Sequence, residues 1–157
     1  MFMAGAALCA SAVFLFAGCE SAGSGSEGVA DGSAYESLRV QCVDRINAFR
    51  ATEGLTALQR WSGAEACSDG EAKSDSETGK AHGAFGTCGE WAQDECPGWP
   101  SAQSTVEGCL KSMWDEKNNP GGQQGHYKNM SSKSYTQVAC GFYQTPGGKV
   151  WALQNFK

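Results

Sequence analysis

Eight cysteines in 157 residues restrict this chain more than any other feature. No two are spaced as C-x-x-C, which excludes the zinc ribbons and thioredoxin-like redox sites built on that spacing. Cysteines at this density persist where disulfides form, in an oxidising compartment. The first residues point the same way. Positions 1–18 carry no Asp, Glu, Lys or Arg and consist of apolar and small residues, the composition of an export signal or a short membrane span. The net charge of −5 and a pI near 5.0 argue against a nucleic-acid surface, which needs a basic patch. A hydrophobic share of 41% is enough to build a core.

The end of the apolar segment separates signal from span. Phe16-Ala17-Gly18-Cys19 resembles a bacterial lipobox, the signal whose cysteine is acylated and becomes the new N-terminus. Residues 1–18 are therefore expected to be a lipoprotein-type signal, with Cys19 lipidated; a plainly cleaved signal is the alternative. Residues 19–34 are rich in Gly, Ser and acids and bury almost nothing, so they are expected to be a flexible tether. That leaves residues 35–157 for a single domain, placed in the cell envelope facing outward or secreted.

Within the domain, Leu38, Cys42, Ile46 and Phe49 recur at helical spacing and predict a helix over 35–51, with Arg45 and Arg50 on other faces. A second helix starts at Ser62, with Glu65 in a capping-box position, and ends by Gly79. Residues 80–100, rich in Gly, Cys and Trp, are expected as long loops around a short strand at 88–92. A third helix starts at Ser104, again with Glu three later, carries Val106, Cys109, Leu110, Met113 and Trp114, and stops at 118–122. Val138, Cys140 and Phe142 alternate, and 150–156 follows a Thr145-Pro146-Gly147-Gly148 turn, which predicts a terminal hairpin. Helices followed by an antiparallel hairpin make an α+β layout.

Without Cys9 and Cys19, six of the eight cysteines remain, an even number that predicts three disulfides. Chain order alone does not fix their connectivity. Position along the expected elements favours Cys42–Cys67, Cys88–Cys96 and Cys109–Cys140. A cysteine nucleophile would need one of them to be a free thiolate.

Only two histidines occur, His82 and His126, each beside glycine. Their surroundings form a series. Asn47-x-x-Arg50 and Gly54-Leu55-x-x-Leu58 are followed by His82, Gly89-Glu90, Trp114-x-Glu116, Gly125-His126-Tyr127-x-Asn129-Met130, Tyr135-x-x-Val138-Ala139-Cys140-Gly141 and Gln154-Asn155-Phe156. In this order the stretches resemble the CAP superfamily of cysteine-rich secretory proteins, antigen 5 and pathogenesis-related proteins, the SCP domain. Trp91 stands where the family's G-E-N motif has Asn. The resemblance implies an α-β-α sandwich around a small antiparallel sheet, with a cleft lined by His82, Glu90, Glu116 and His126.

Two imidazoles and two carboxylates could hold a divalent ion, zinc first, through His82 and His126. Alternatively, each Glu could hydrogen-bond a His and lock the loops to the sheet. Two functions follow. The favoured one is a non-enzymatic, monomeric binding or interaction module, taking a small lipid or sterol-like ligand or another protein, and held at a membrane by its N-terminal lipid anchor. The alternative is a metal-dependent, protease-like hydrolase in which zinc activates water and Glu90 or Glu116 is the base. A nucleophilic hydrolase is disfavoured because no G-x-S-x-G occurs.

Overall fold

A computed structural model describes residues 32–157; the expected signal, Cys19 and the tether up to residue 31 lie outside the described residues. Gly32–Tyr35 form a 3-10 turn that brings the Tyr35 ring 5.3 Å from Phe142. Helix α1, Glu36–Ala51, follows at the expected place and buries Cys42, Val43 and Ile46. Strand β1 is short, Gln59–Arg60. Helix α2, Ser62–Thr78, ends on Gly79 in the left-handed conformation that glycine adopts at little cost. Its expected Ser62–Glu65 capping box does not form, because Glu65 is engaged by Arg60 at 2.6 and 2.7 Å.

Strand β2 runs Ala92–Trp99, later and longer than the short strand expected at 88–92. A helical run then begins two residues before Ser104. Helix α3, Ala102–Ser104, is capped by a reciprocal Ser101–Ser104 box rather than by Ser104 with Glu107. It continues through a π-turn, Thr105–Cys109, into α4, Leu110–Asp115, and a 3-10 turn, Glu116–Asn118. Helix α5, Gly125–Ser131, forms beyond the expected end of the third helix. Strands β3, Gln137–Gln144, and β4, Val150–Phe156, make the expected hairpin.

The sheet order is β1-β3-β4-β2. Strand β1 is parallel to β3, and the other neighbours are antiparallel. Residues directly opposite one another share a face. Cys140 lies opposite Gln154, and Gln154 opposite Asp94; together with Val138 and Phe142 they face α1 and the α3–α5 run. Ala139, Gly141, Asn155, Gln93 and Glu95 face α2. Gly141 shows how closely α2 approaches: a Cβ there would stand 2.4 Å from the Ser68 carbonyl carbon. The layers are α2, sheet, and α1 with α3–α5, an α+β fold stapled by disulfides.

The alternation of β3 and β2 explains why the disulfides are not those expected. Cys42 of α1 is bonded to Cys140 on the sheet face it covers, not to Cys67. Cys67 lies across the sheet on α2 and is bonded to Cys88 in the following loop. Cys96 points from β2 to the other side and is bonded to Cys109 in the π-turn. The pairs Cys42–Cys67, Cys88–Cys96 and Cys109–Cys140 would each join groups directed to opposite sides of the sheet, or would take a partner already used by a nearer one.

Arg50 lies off the apolar stripe, on another face as expected, yet it is buried. Its guanidinium donates to the carbonyls of Thr56, Met130 and Ser132 at 2.9, 2.7 and 2.9 Å. Asn47, one turn before it, clamps both the N–H and the C=O of Leu58. The opening Asn-x-x-Arg motif is thus a latch for the loops around it.

Candidate functional site

The four histidine and glutamate positions fall into two groups, Glu116 with His126 at the start of α5, and His82 and Glu90 in the segment that follows α2. On the α5 side, His126 Nδ1 lies 2.6 Å from Glu116 Oε1. Glu116 Oε2 also accepts the backbone N–H groups of His126 and Tyr127, at 3.1 and 3.3 Å. Glu116 closes the α4 run and receives the first N–H groups of α5, which otherwise have no partner within the helix. One turn along α5, Asn129 donates to Asp94 Oδ1 at 2.8 Å. Asp94 is fully buried in the strand. Burial pushes its carboxyl well above the ordinary value against the Asn129 hydrogen bond, and the nearby Glu116 charge adds to the shift.

Aromatic rings back this group. Trp114 stacks on Phe49 and meets Tyr127 edge-on, and the Tyr127 hydroxyl donates to Glu53 at 2.8 Å.

On the α2 side, His82 sits in the loop after α2 with φ of +58°, a backbone region rarely used by residues other than glycine and recurrent at functional positions. Its Nδ1 lies 2.9 Å from Gln93 Oε1, and its N–H donates to Glu95 Oε2 at 2.6 Å. Gln93 passes the network inward. Its amide donates to Glu71 Oε2 at 3.2 Å and Asn155 Oδ1 at 3.1 Å, and Asn155 donates to the same Glu71 oxygen at 2.5 Å and to Ser68. Burial lifts Glu71 from 4.5 to about 7, with the Glu90 charge adding to the shift. Glu95 also rises to about 7, first through burial and then through the charges of Asp75 and Glu71. Glu90 turns to Glu71 and to the Gly86 N–H.

The structure therefore brings Glu116 to His126, and places His82 with Gln93 and Glu95 rather than with Glu90. Among the described residues, no three of His82, Glu90, Glu116 and His126 offer ligand atoms within 4.8 Å of one another. As placed, they do not supply the three or four converging ligands of a zinc site, and no chemical step through zinc is derived. Asp75, Gln93, Asp94 and Glu95 were not anticipated from sequence. The adjacent acids Asp94 and Glu95 held the signal, because a strand through them must direct one to each face. That inference needed the true limits of β2.

The fold and the motif order define a disulfide-stapled α-β-α sandwich. The cysteine-rich secretory protein family, CAP, matches residues 43–156, and the chain belongs to it. Among solved structures, the venom allergen-like protein 4 of Schistosoma mansoni superposes with a TM-score of 0.56 at 14% identity, covering 76% of this chain and 86% of that one. An extracellular SCP-domain protein of Bacillus anthracis gives 0.57 at 19% identity, over 76% of this chain and 40% of that one. An outer surface protein of Borrelia burgdorferi gives 0.57 at 13% identity, over 78% and 92%. These identities speak for the fold alone. A search of curated protein sequences found no match. The three disulfides fit an extracytoplasmic setting.

Proposed function

We propose that this CAP domain is an exported binding module and that its contact surface is the segment 80–91, with His82 at its base. One observation carries the reading. Phe85 and Trp91 are 49% and 61% exposed, on a segment pinned to α2 by Cys67–Cys88. Large aromatic side chains left in water on a fixed loop act as anchors when a partner covers them. A small lipid or sterol-like ligand would be held by these apolar side chains, and a lipid anchor at Cys19 would hold the module at a membrane surface. The hydrolase alternative needs both histidines on one ion, whereas His82 Nδ1 is engaged by Gln93 and His126 Nδ1 by Glu116.

The test is equilibrium binding of cholesterol and of palmitate to the purified protein, compared with Phe85→Ser and Trp91→Ser. Each substitution should weaken binding by about tenfold, roughly 1.4 kcal/mol. Unchanged affinity in both variants, or no binding of either lipid by the wild type, overturns the lipid reading.

A further inference from the structure

The segment 80–91 is hung from buried carboxyl groups by every second backbone N–H. That of His82 donates to Glu95 Oε2 at 2.6 Å, that of Ala84 to Asp75 Oδ1 at 2.8 Å, that of Gly86 to Glu90 Oε1, and that of Cys88 to Glu71 Oε1 at 3.3 Å. The four acceptors are buried. Each spends one oxygen on the segment. The second oxygen of Glu71 takes the Gln93 and Asn155 amides. The other three second oxygens, Asp75 Oδ2, Glu90 Oε2 and Glu95 Oε1, are buried with no hydrogen-bond donor.

The acids fall into two like-charged pairs. Oxygens of Glu71 and Glu90 lie within 4.8 Å of each other, and the Asp75 charge acts on Glu95. Little positive charge faces them. His82 Nδ1 stands 3.9 Å from Glu95 Oε2. On α2, Asp69 is paired with Arg39, and Lys73 with Glu77 out in solvent. Lys157 lies by Gly89, over the Trp61 ring. Two adjacent buried carboxylates cannot both ionise cheaply, and an ionised oxygen without a donor needs water. A proton on one member of each pair removes a charge and supplies the donor that the orphan oxygens lack.

We propose that the segment 80–91 is a proton-controlled strap, closed onto α2 and β2 while each acid pair holds a proton, and released over residues 82–86 when the pairs ionise and draw in water. The Cys67–Cys88 disulfide keeps the far end attached. Burial first, and then the neighbouring acids, lift Glu71 and Glu95 to about 7 in the closed form. The closed form thus binds protons more tightly than the open one, so it is favoured at acid pH and lost as pH rises through about 7. The strap does not depend on what the segment binds, and its test uses no ligand.

The experiment is hydrogen exchange of the full chain, read at single amides by NMR and corrected at each pH for the intrinsic exchange rate. From about pH 5 to about pH 8.5, protection of the His82, Ala84 and Gly86 N–H groups should fall by about tenfold or more, while that of the β3–β4 ladder stays level. The double variant Glu90→Gln/Glu95→Gln neutralises one member of each pair and puts an amide donor where the orphan oxygens stand. It should keep at alkaline pH the protection that the wild type has at acid pH. Protection that is flat with pH in the wild type, a fall shared with the β3–β4 ladder, or an equal fall in a natively folded double variant overturns the proposal. If the double variant loses its native circular dichroism, the wild-type profile decides alone.

Discussion

Glu116 holds His126 through both the ring and the backbone: one carboxylate oxygen lies 2.6 Å from Nδ1, and the other accepts the His126 N–H at 3.1 Å. The side chain that orients the imidazole is therefore also the one that starts α5. Glu116→Ala should cost about 1–3 kcal/mol in denaturant unfolding, because it leaves these donors without their acceptor. Glu116→Gln should cost less, since an amide oxygen still accepts. Equal losses would show that the charge rather than the hydrogen bonds holds the helix.

The disulfides give a second prediction. Non-reducing peptide mapping should recover Cys42–Cys140, Cys67–Cys88 and Cys96–Cys109, and thiol labelling of the denatured, unreduced domain should find none of these six free. Replacing the Cys42–Cys140 pair by alanines should cost about 2–5 kcal/mol. Recovery of Cys42–Cys67 would contradict the placement of α1 and α2 on opposite faces.

Glu95 predicts the direction of the pH dependence. Its carboxyl is raised from 4.5 to about 7 in the fold, chiefly by burial and then by the charges of Asp75 and Glu71, against the hydrogen bond from the His82 N–H. The folded state thus holds the proton more tightly than the unfolded chain. The stability from this group is complete below the unfolded value and is lost as pH rises through about 7. Glu95→Gln should match the wild type near pH 4 and exceed it in stability near pH 8, by chemical denaturation. The same pH slope in both proteins would contradict the assignment.

Much of the fold was legible because its signals are local. The stripe Cys42–Ile46 placed α1, Gly79 ended α2, and Thr145–Gly148 closed the hairpin. Features that depend on distant partners were not legible. Arg50 is satisfied by carbonyls 80 and 82 residues away, so helical spacing, which only set it off the apolar stripe, gave no sign of its burial. Helix α5 has a weak apolar stripe and receives its start from Glu116. The cysteine pairing depends on which face each strand residue takes, and β2 begins at Ala92, where the expected short strand was to end. At the site, the motif order found both histidines and Glu116. The partners of His82 lie deeper along β2 than the Gly89-Glu90 pair that drew attention to it.

His82 and His126 have different partners, Gln93 and Glu95 for one and Glu116 for the other, and the proposed binding surface needs no ion shared between them. Zinc calorimetry on the wild type, His82→Ala and His126→Ala tests this most directly. Neither substitution should change the isotherm at micromolar protein. A tight isotherm with one ion per chain, abolished by either substitution, would contradict it.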